Sequence, residues 1–137
     1  MKKFIHVDIY DCTIIFFVEP TKLEFEMMYH DNVERIKDDE YKQMYTDMFE
    51  NDKCGGFSTF LDCGDFVCCI KDAMNHNYVA HEILHTCMRL LWARGIIYKG
   101  DSDEEPLAYL IGWLTSIYYK WMVDDKRMDI VDLYKKE

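Results

Sequence analysis

The chain is 137 residues long, half of them hydrophobic and 15% aromatic. That is enough for one domain with its own core, and too apolar for a disordered segment. The formal net charge is −10 and no run of Lys and Arg offsets it. Nucleic-acid binding through phosphates and docking on anionic membranes are disfavoured, and the acid excess reads as a solvated, self-repelling surface.

The chain opens with FIHVDIY, in which Ile5, Val7 and Ile9 alternate and so share one face of a strand. Asp11-Cys12 can turn it into TIIFFVE, which predicts a hairpin. The two lysines ahead of this apolar stretch resemble the start of a signal peptide. However, His6, Asp8 and Asp11 interrupt the run and no small-x-small site follows, so a cytoplasmic protein is expected. From about Thr21 to Glu50 the pattern turns helical, with Tyr41, Met44, Tyr45 and Met48 recurring on one face and breaks offered at Asn32 and at Asp38-Asp39. CGGF ends it. FSTFLDC and DFVCCI then flank Cys63-Gly64 as a second hairpin. A helix is expected from about Asn77 to Arg94, closed by Gly95, and a last one from near Asp103 to Met122. Its apolar part, PLAYLIGWLTSIYY, is too short to span a bilayer.

The order ββ-α-ββ-α-α predicts an α+β fold with a small, mainly antiparallel sheet packed against helices. The whole chain, 1–137, reads as a single domain. Residues 1–76 hold the sheet and first helical region, 77–122 a helix pair, and 123–137 a charged tail or docking helix carrying Met128, Ile130, Val131 and Leu133. The six cysteines form no Cys-x-x-Cys, and adjacent Cys68 and Cys69 must face opposite sides of a strand, so most read as buried free thiols.

The segment YVAHEILHTCMRLLW contains His-Glu-x-x-His at His81, Glu82 and His85. Residues i and i+4 stack on one helical face, so the two imidazoles can grip a single zinc ion. Glu82 points aside and can accept a proton from an attacking water. The helix is apolar almost all round, with Val79, Ile83, Leu84, Cys87, Leu90 and Leu91. It reads as a core helix in which three polar groups need a partner, and a metal supplies one.

A third ligand is needed. The continuation after His85 has Met88 and Leu91 where a metzincin has Gly and His. His76 is a weak candidate on the entry turn. Glu105 is the better one: it shares a helical face with Ala108, Tyr109, Gly112 and Ser116, of which Ala108, Gly112 and Ser116 form a small-residue stripe that would let two helices approach closely. Glu104 is the alternative, and a capping box from Ser102 to Glu105 is the structural reading of the same residues.

His-Glu-x-x-His followed after nineteen intervening residues by Glu105 at a helix start resembles the gluzincin-type ligand set. The small size and preceding strands resemble minimal zincins, including the ImmA/IrrE-like peptidases, although their Glu-Ala-Asn helix start is here Glu105-Pro106-Leu107. VAHEILHTCMRLL with EEPLAYLIGWL is most similar to small His-Glu-x-x-His proteins of bacteriophages and prophages. The resemblance covers residues 78–122. It implies a zincin-like fold, one zinc ion on His81, His85 and Glu105, Glu82 as general base, and a host cytoplasm or virion location.

Two functions follow. One is a zinc metallopeptidase acting on a protein or peptide held as an extra strand at a sheet edge, with Tyr109, Tyr98 and His76 as candidate oxyanion donors. The other is a phage-type assembly or interaction protein with a protein partner, in which zinc only braces the fold. The charge leaves nucleic acid a poor third. The sequence leaves the oligomeric state open.

Overall fold

A computed structural model describes residues 1–31, 37–61, 64–96 and 104–128. The fold is α+β. A hairpin of β1 (Lys2–Val7) and β2 (Cys12–Val18) is followed by α1 (Lys22–Asp31) and α2 (Asp38–Phe49). A second hairpin, β3 (Gly56–Phe60) and β4 (Phe66–Ile70), leads into α3 (His76–Ala93) and α4 (Glu105–Asp124). The four strands form one sheet in the order β1-β2-β4-β3. The outer pairs are antiparallel, but β2 and β4 run parallel, so the sheet is mixed. The helical stretch between the hairpins returns the chain to the same end of the sheet, which makes β4 start level with β2 rather than oppose it.

The alternation of β2 and β4 builds two cores. Ile14, Phe16, Val18, Phe66, Cys68 and Ile70 face α3 and α4, against Val79, Ile83, Cys87, Leu114 and Tyr118. Ile15, Phe17, Val67 and Cys69 face α1 and α2, against Phe25, Met44 and Met48. Cys68 and Cys69 thus divide between the two cores as expected for neighbours on a strand. Cys12, Cys68, Cys69 and Cys87 are buried free thiols and Cys54 is half-buried; Cys63 lies outside the described residues.

Local chemistry sets most element ends. Thr21 and Glu24 exchange hydrogen bonds in a capping box that opens α1. Asn75 accepts from the Tyr78 N–H at 3.2 Å and caps α3. At its other end Gly95 takes φ 77°, while Gly95 and Ile96 donate to the Trp92 and Leu91 carbonyls. That is the Schellman pattern, and it is why Gly95 stops the helix. The first turn departs from expectation. β1 ends at Val7 and a 3₁₀ turn, Asp8–Tyr10, closes on Asp11 at φ 46°. Ile5 and Val7 are therefore buried, but Ile9 is 82% exposed.

α3 and α4 lie antiparallel on one face of the sheet. His76 Nδ1 is 2.6 Å from the Tyr119 hydroxyl, which sets the start of α3 beside the later half of α4. α3 packs over β3 and β4. α4 packs toward β1 and β2, where Phe16 meets the Tyr118 and Trp121 rings and Lys3 sits over Trp121. Among the described residues no helix is long and apolar enough to cross a membrane. The expected capping box at Ser102 and the tail beyond Met128 lie outside the described residues, but Met128 itself is buried.

Candidate metal centre

β3 is an edge strand, and a cleft of about 630 Å³ runs along it between α2 and α3. Met44 and Asp47 of α2, Gly56–Thr59 of β3, and His81, Glu82, His85 and Arg89 of α3 line it. The spacing of i, i+4 and i+8 puts His81, His85 and Arg89 in a row along one side of α3.

His81 Nε2 and His85 Nε2 lie 3.1 Å apart, with the rings at 72° to each other. Two nitrogens held at about 2.0–2.1 Å by one tetrahedral ion stand roughly 3.3 Å apart, so the pair is already close to the spacing of two ligands. Burial, the His81 ring and the Arg89 guanidinium all lower the His85 pKa, which favours the neutral imidazole a metal needs. The His81 side chain is 65% exposed. The two histidines are therefore not inside the core, contrary to the reading of α3 as apolar all round: they line the cleft, and Leu84 and Met88 on the same helix are exposed as well.

Glu82 is different. It is 4% exposed. One carboxylate oxygen lies 3.9 Å from His81 Nε2, and among the described residues the carboxylate accepts no hydrogen bond. A buried carboxylate without donors is costly. Burial pushes its pKa up to about 7, Arg89 opposes the rise, and Asp47 adds to it. A cation and a water in front of the histidines would relieve this group, and a donor set of two imidazoles beside a carboxylate suits zinc.

The cleft reaches Glu82 because two glycines, Gly55 just ahead of β3 and Gly56 at its start, stand there. A Cβ on Gly55 would run into the Tyr78 ring. One on Gly56 would overlap the Cys69 carbonyl oxygen and stand 3.1 Å from Glu82 Cγ. Without side chains at these positions the edge strand can lie directly against the motif.

Glu105 is not brought to the histidines. It opens α4, and α4 lies on the opposite side of α3 from β3. Tyr119, fourteen residues and about 21 Å of helix beyond Glu105, is the residue that meets His76. Glu105 instead lines a second groove with Ile9, Tyr10, Pro106, Tyr109, Leu110 and Trp113. The reason is the apolar pattern of α4. Leu110, Leu114, Tyr118 and Trp121 turn inward, which leaves Ala108, Tyr109, Gly112 and Ser116 in solvent. The small-residue stripe is real, but a Cβ on Gly112 would meet nothing. Glu104, just ahead of Glu105 as the N-cap of α4, is exposed. Tyr109 is 75% exposed in the second groove. His76 lines a small polar hollow with Asp72 and Asn75, and Tyr98 lies outside the described residues. Among the described residues no set of three or more His, Cys, Asp or Glu side chains is grouped to hold a metal.

Arg89, Tyr78 and the Gly55-Gly56 pair line the cleft without having been expected there. Arg89 and Tyr78 carried a signal, since they stand four residues after His85 and three before His81. The glycines carried none beyond ending a helix. No family model, curated protein or solved structure matches the chain.

Proposed function

We propose that this chain is a metal-dependent peptidase of the His-Glu-x-x-His type, zincin-like in layout, in which His81 and His85 hold a zinc ion. The observation that carries this reading is the 3.1 Å pairing of their Nε2 atoms in an open cleft, with the donor-free carboxylate of Glu82 beside it. Zinc bound there would polarise a peptide carbonyl and make water a better nucleophile at neutral pH. Glu82 takes the proton of the attacking water and returns it to the leaving amine. Gly56–Thr59 offer the free edge of β3 to an extended peptide, which would seat it across the histidines. Tyr78 and Met44 also line the cleft.

The alternative of a brace is less well supported. A bracing ion ties together separate elements and closes its fourth position with protein. Here both imidazoles come from one helix and face solvent. The test is cleavage of an unstructured protein such as casein by the zinc-loaded chain, with Glu82→Gln as control. Glu82→Gln should retain zinc, read by metal analysis, while activity falls by about 10²–10⁴-fold, the usual worth of acid–base assistance. Equal behaviour of wild type and Glu82→Gln on every substrate would overturn the enzyme reading.

A further inference from the structure

We propose that Arg89 selects the substrate, its guanidinium taking a carboxylate close to the bond that is cut; this rests on the peptidase reading above. Arg89 follows His81 and His85 in the same row and lines the same cleft. Its Nε donates to the Ser58 hydroxyl at 3.0 Å. Ser58 belongs to β3, the strand against which an extended peptide would lie. One bond through Nε fixes the plane of the guanidinium and leaves both terminal nitrogens for another partner. Among the described residues no carboxylate lies within ion-pair distance of Arg89, although Glu40, Asp47 and Glu82 line the same cleft.

The spacing says where the carboxylate would sit. Arg89 is one helical turn past His85, about 6 Å along α3. An extended peptide advances about 3.3 Å per residue, so the guanidinium reaches a residue roughly two positions from the bond at the histidines. A planar fork suits the two oxygens of a carboxylate better than a single oxyanion. The chain's net charge of −10 repels acidic peptides in general, so a cation beside the histidines also helps set their register. A peptide can present a carboxylate on an Asp or Glu side chain or at its C-terminus, and the chemistry at Arg89 is the same.

The test uses the full chain loaded with zinc and a mixture of random-sequence peptides, with free or amidated C-termini, cut sites being read by mass spectrometry. The expected wild-type profile has Asp or Glu enriched within about three residues of the cut, on one side. If the C-terminal carboxylate is the source, cuts instead fall at a fixed distance from free C-termini and vanish on amidation. For a matched Glu and Gln peptide pair, the wild-type kcat/KM ratio should be about tenfold or more, falling toward one in Arg89→Gln and to an intermediate value in Arg89→Lys. Thermal melts check that both variants are folded. A wild-type profile blind to carboxylates, or a ratio unchanged in Arg89→Gln, overturns the proposal. If wild type cuts nothing, the peptidase reading falls, and binding decides Arg89 by itself. The Glu82→Gln protein is then titrated with the same labelled peptide pair. A preference for the Glu peptide that is lost on adding Arg89→Gln supports the role, and equal affinity overturns it.

Discussion

Glu82 is held at a cost to the fold. Its carboxyl is buried at the edge of the sheet, and burial pushes its pKa up to about 7 from an ordinary value near 4.3 in the unfolded chain. The folded, metal-free protein therefore binds more protons than the unfolded chain between those two values. Its contribution to stability is fully present below about pH 4 and is lost as pH rises through about 7. Glu82→Gln removes that penalty while keeping the shape of the side chain. The metal-free variant should melt higher than wild type at pH 8 and close to it at pH 4.5, and parallel pH profiles would contradict the buried carboxylate. The cysteines make a second test at this scale. Burial raises the pKa of Cys12, Cys68, Cys69 and Cys87, the last to about 12. Thiolate is the reactive form, so these four should resist alkylation in the folded protein. Half-buried Cys54 in the cleft should label first among the described cysteines, and peptide mapping after brief iodoacetamide treatment would reveal any other order.

At the scale of elements, the site depends on how closely β3 approaches α3. Gly56 is needed for space: its Cβ would overlap a backbone oxygen of β4, which cannot swing away. Gly95 is needed for conformation: its φ is 77° and a Cβ there meets nothing. Gly95→Ala should cost about 1–2 kcal/mol, the price of a left-handed alanine. Gly56→Ala has to move the β3–β4 ladder, so it should cost at least as much as ordinary overpacking, about 1–3 kcal/mol, and also loosen the cleft. Denaturant unfolding of both variants measures this, and a Gly56→Ala protein as stable as wild type would contradict the close approach of Gly56 to the Cys69 carbonyl. The same elements show what could be read from sequence. The two hairpins, the split of the first helical stretch, the α3 bounds and the stop at Gly95 follow from local signals, namely alternation, capping and punctuation. The parallel contact of β2 with β4 has no local signal, since it depends on how the helices between the hairpins route the chain. Glu105 lies in the second groove for a related reason. Its spacing from His85 would let α4 return beside the motif, but the side of α3 on which α4 settles is decided by Leu110, Leu114, Tyr118 and Trp121 docking on Phe16 and its neighbours. Helical spacing brings His81 and His85 together because both stand on one helix, and it does not set the position of a residue on another.

On the scale of the whole molecule, His81 and His85 stand outside both cores. Apart from Glu82, the cleft's polar side chains are held from elements anchored in the cores: α3 through Ile83 and Cys87 against the sheet, and α2 through Met44 and Met48. Zinc is therefore not expected to be a condition of folding, as it would be if the histidines were core residues. Truncating an exposed side chain usually changes stability by less than about 0.5 kcal/mol, so metal-free His81→Ala should melt near metal-free wild type. Zinc should still stabilise the wild type by mass action, because an ion that binds only the folded state adds RT ln(1 + [Zn]/Kd), about 2.7 kcal/mol at a hundred times Kd. His81→Ala keeps one imidazole of the pair and should lose nearly all of that gain. Melting wild type and His81→Ala in chelator and then in rising zinc separates the cases. A wild-type midpoint that climbs with the logarithm of zinc concentration, while that of His81→Ala stays flat, is the expected result. A chain that unfolds in chelator would mean that the metal is part of the core after all. Midpoints of both proteins that ignore zinc would remove the ion from His81 and His85.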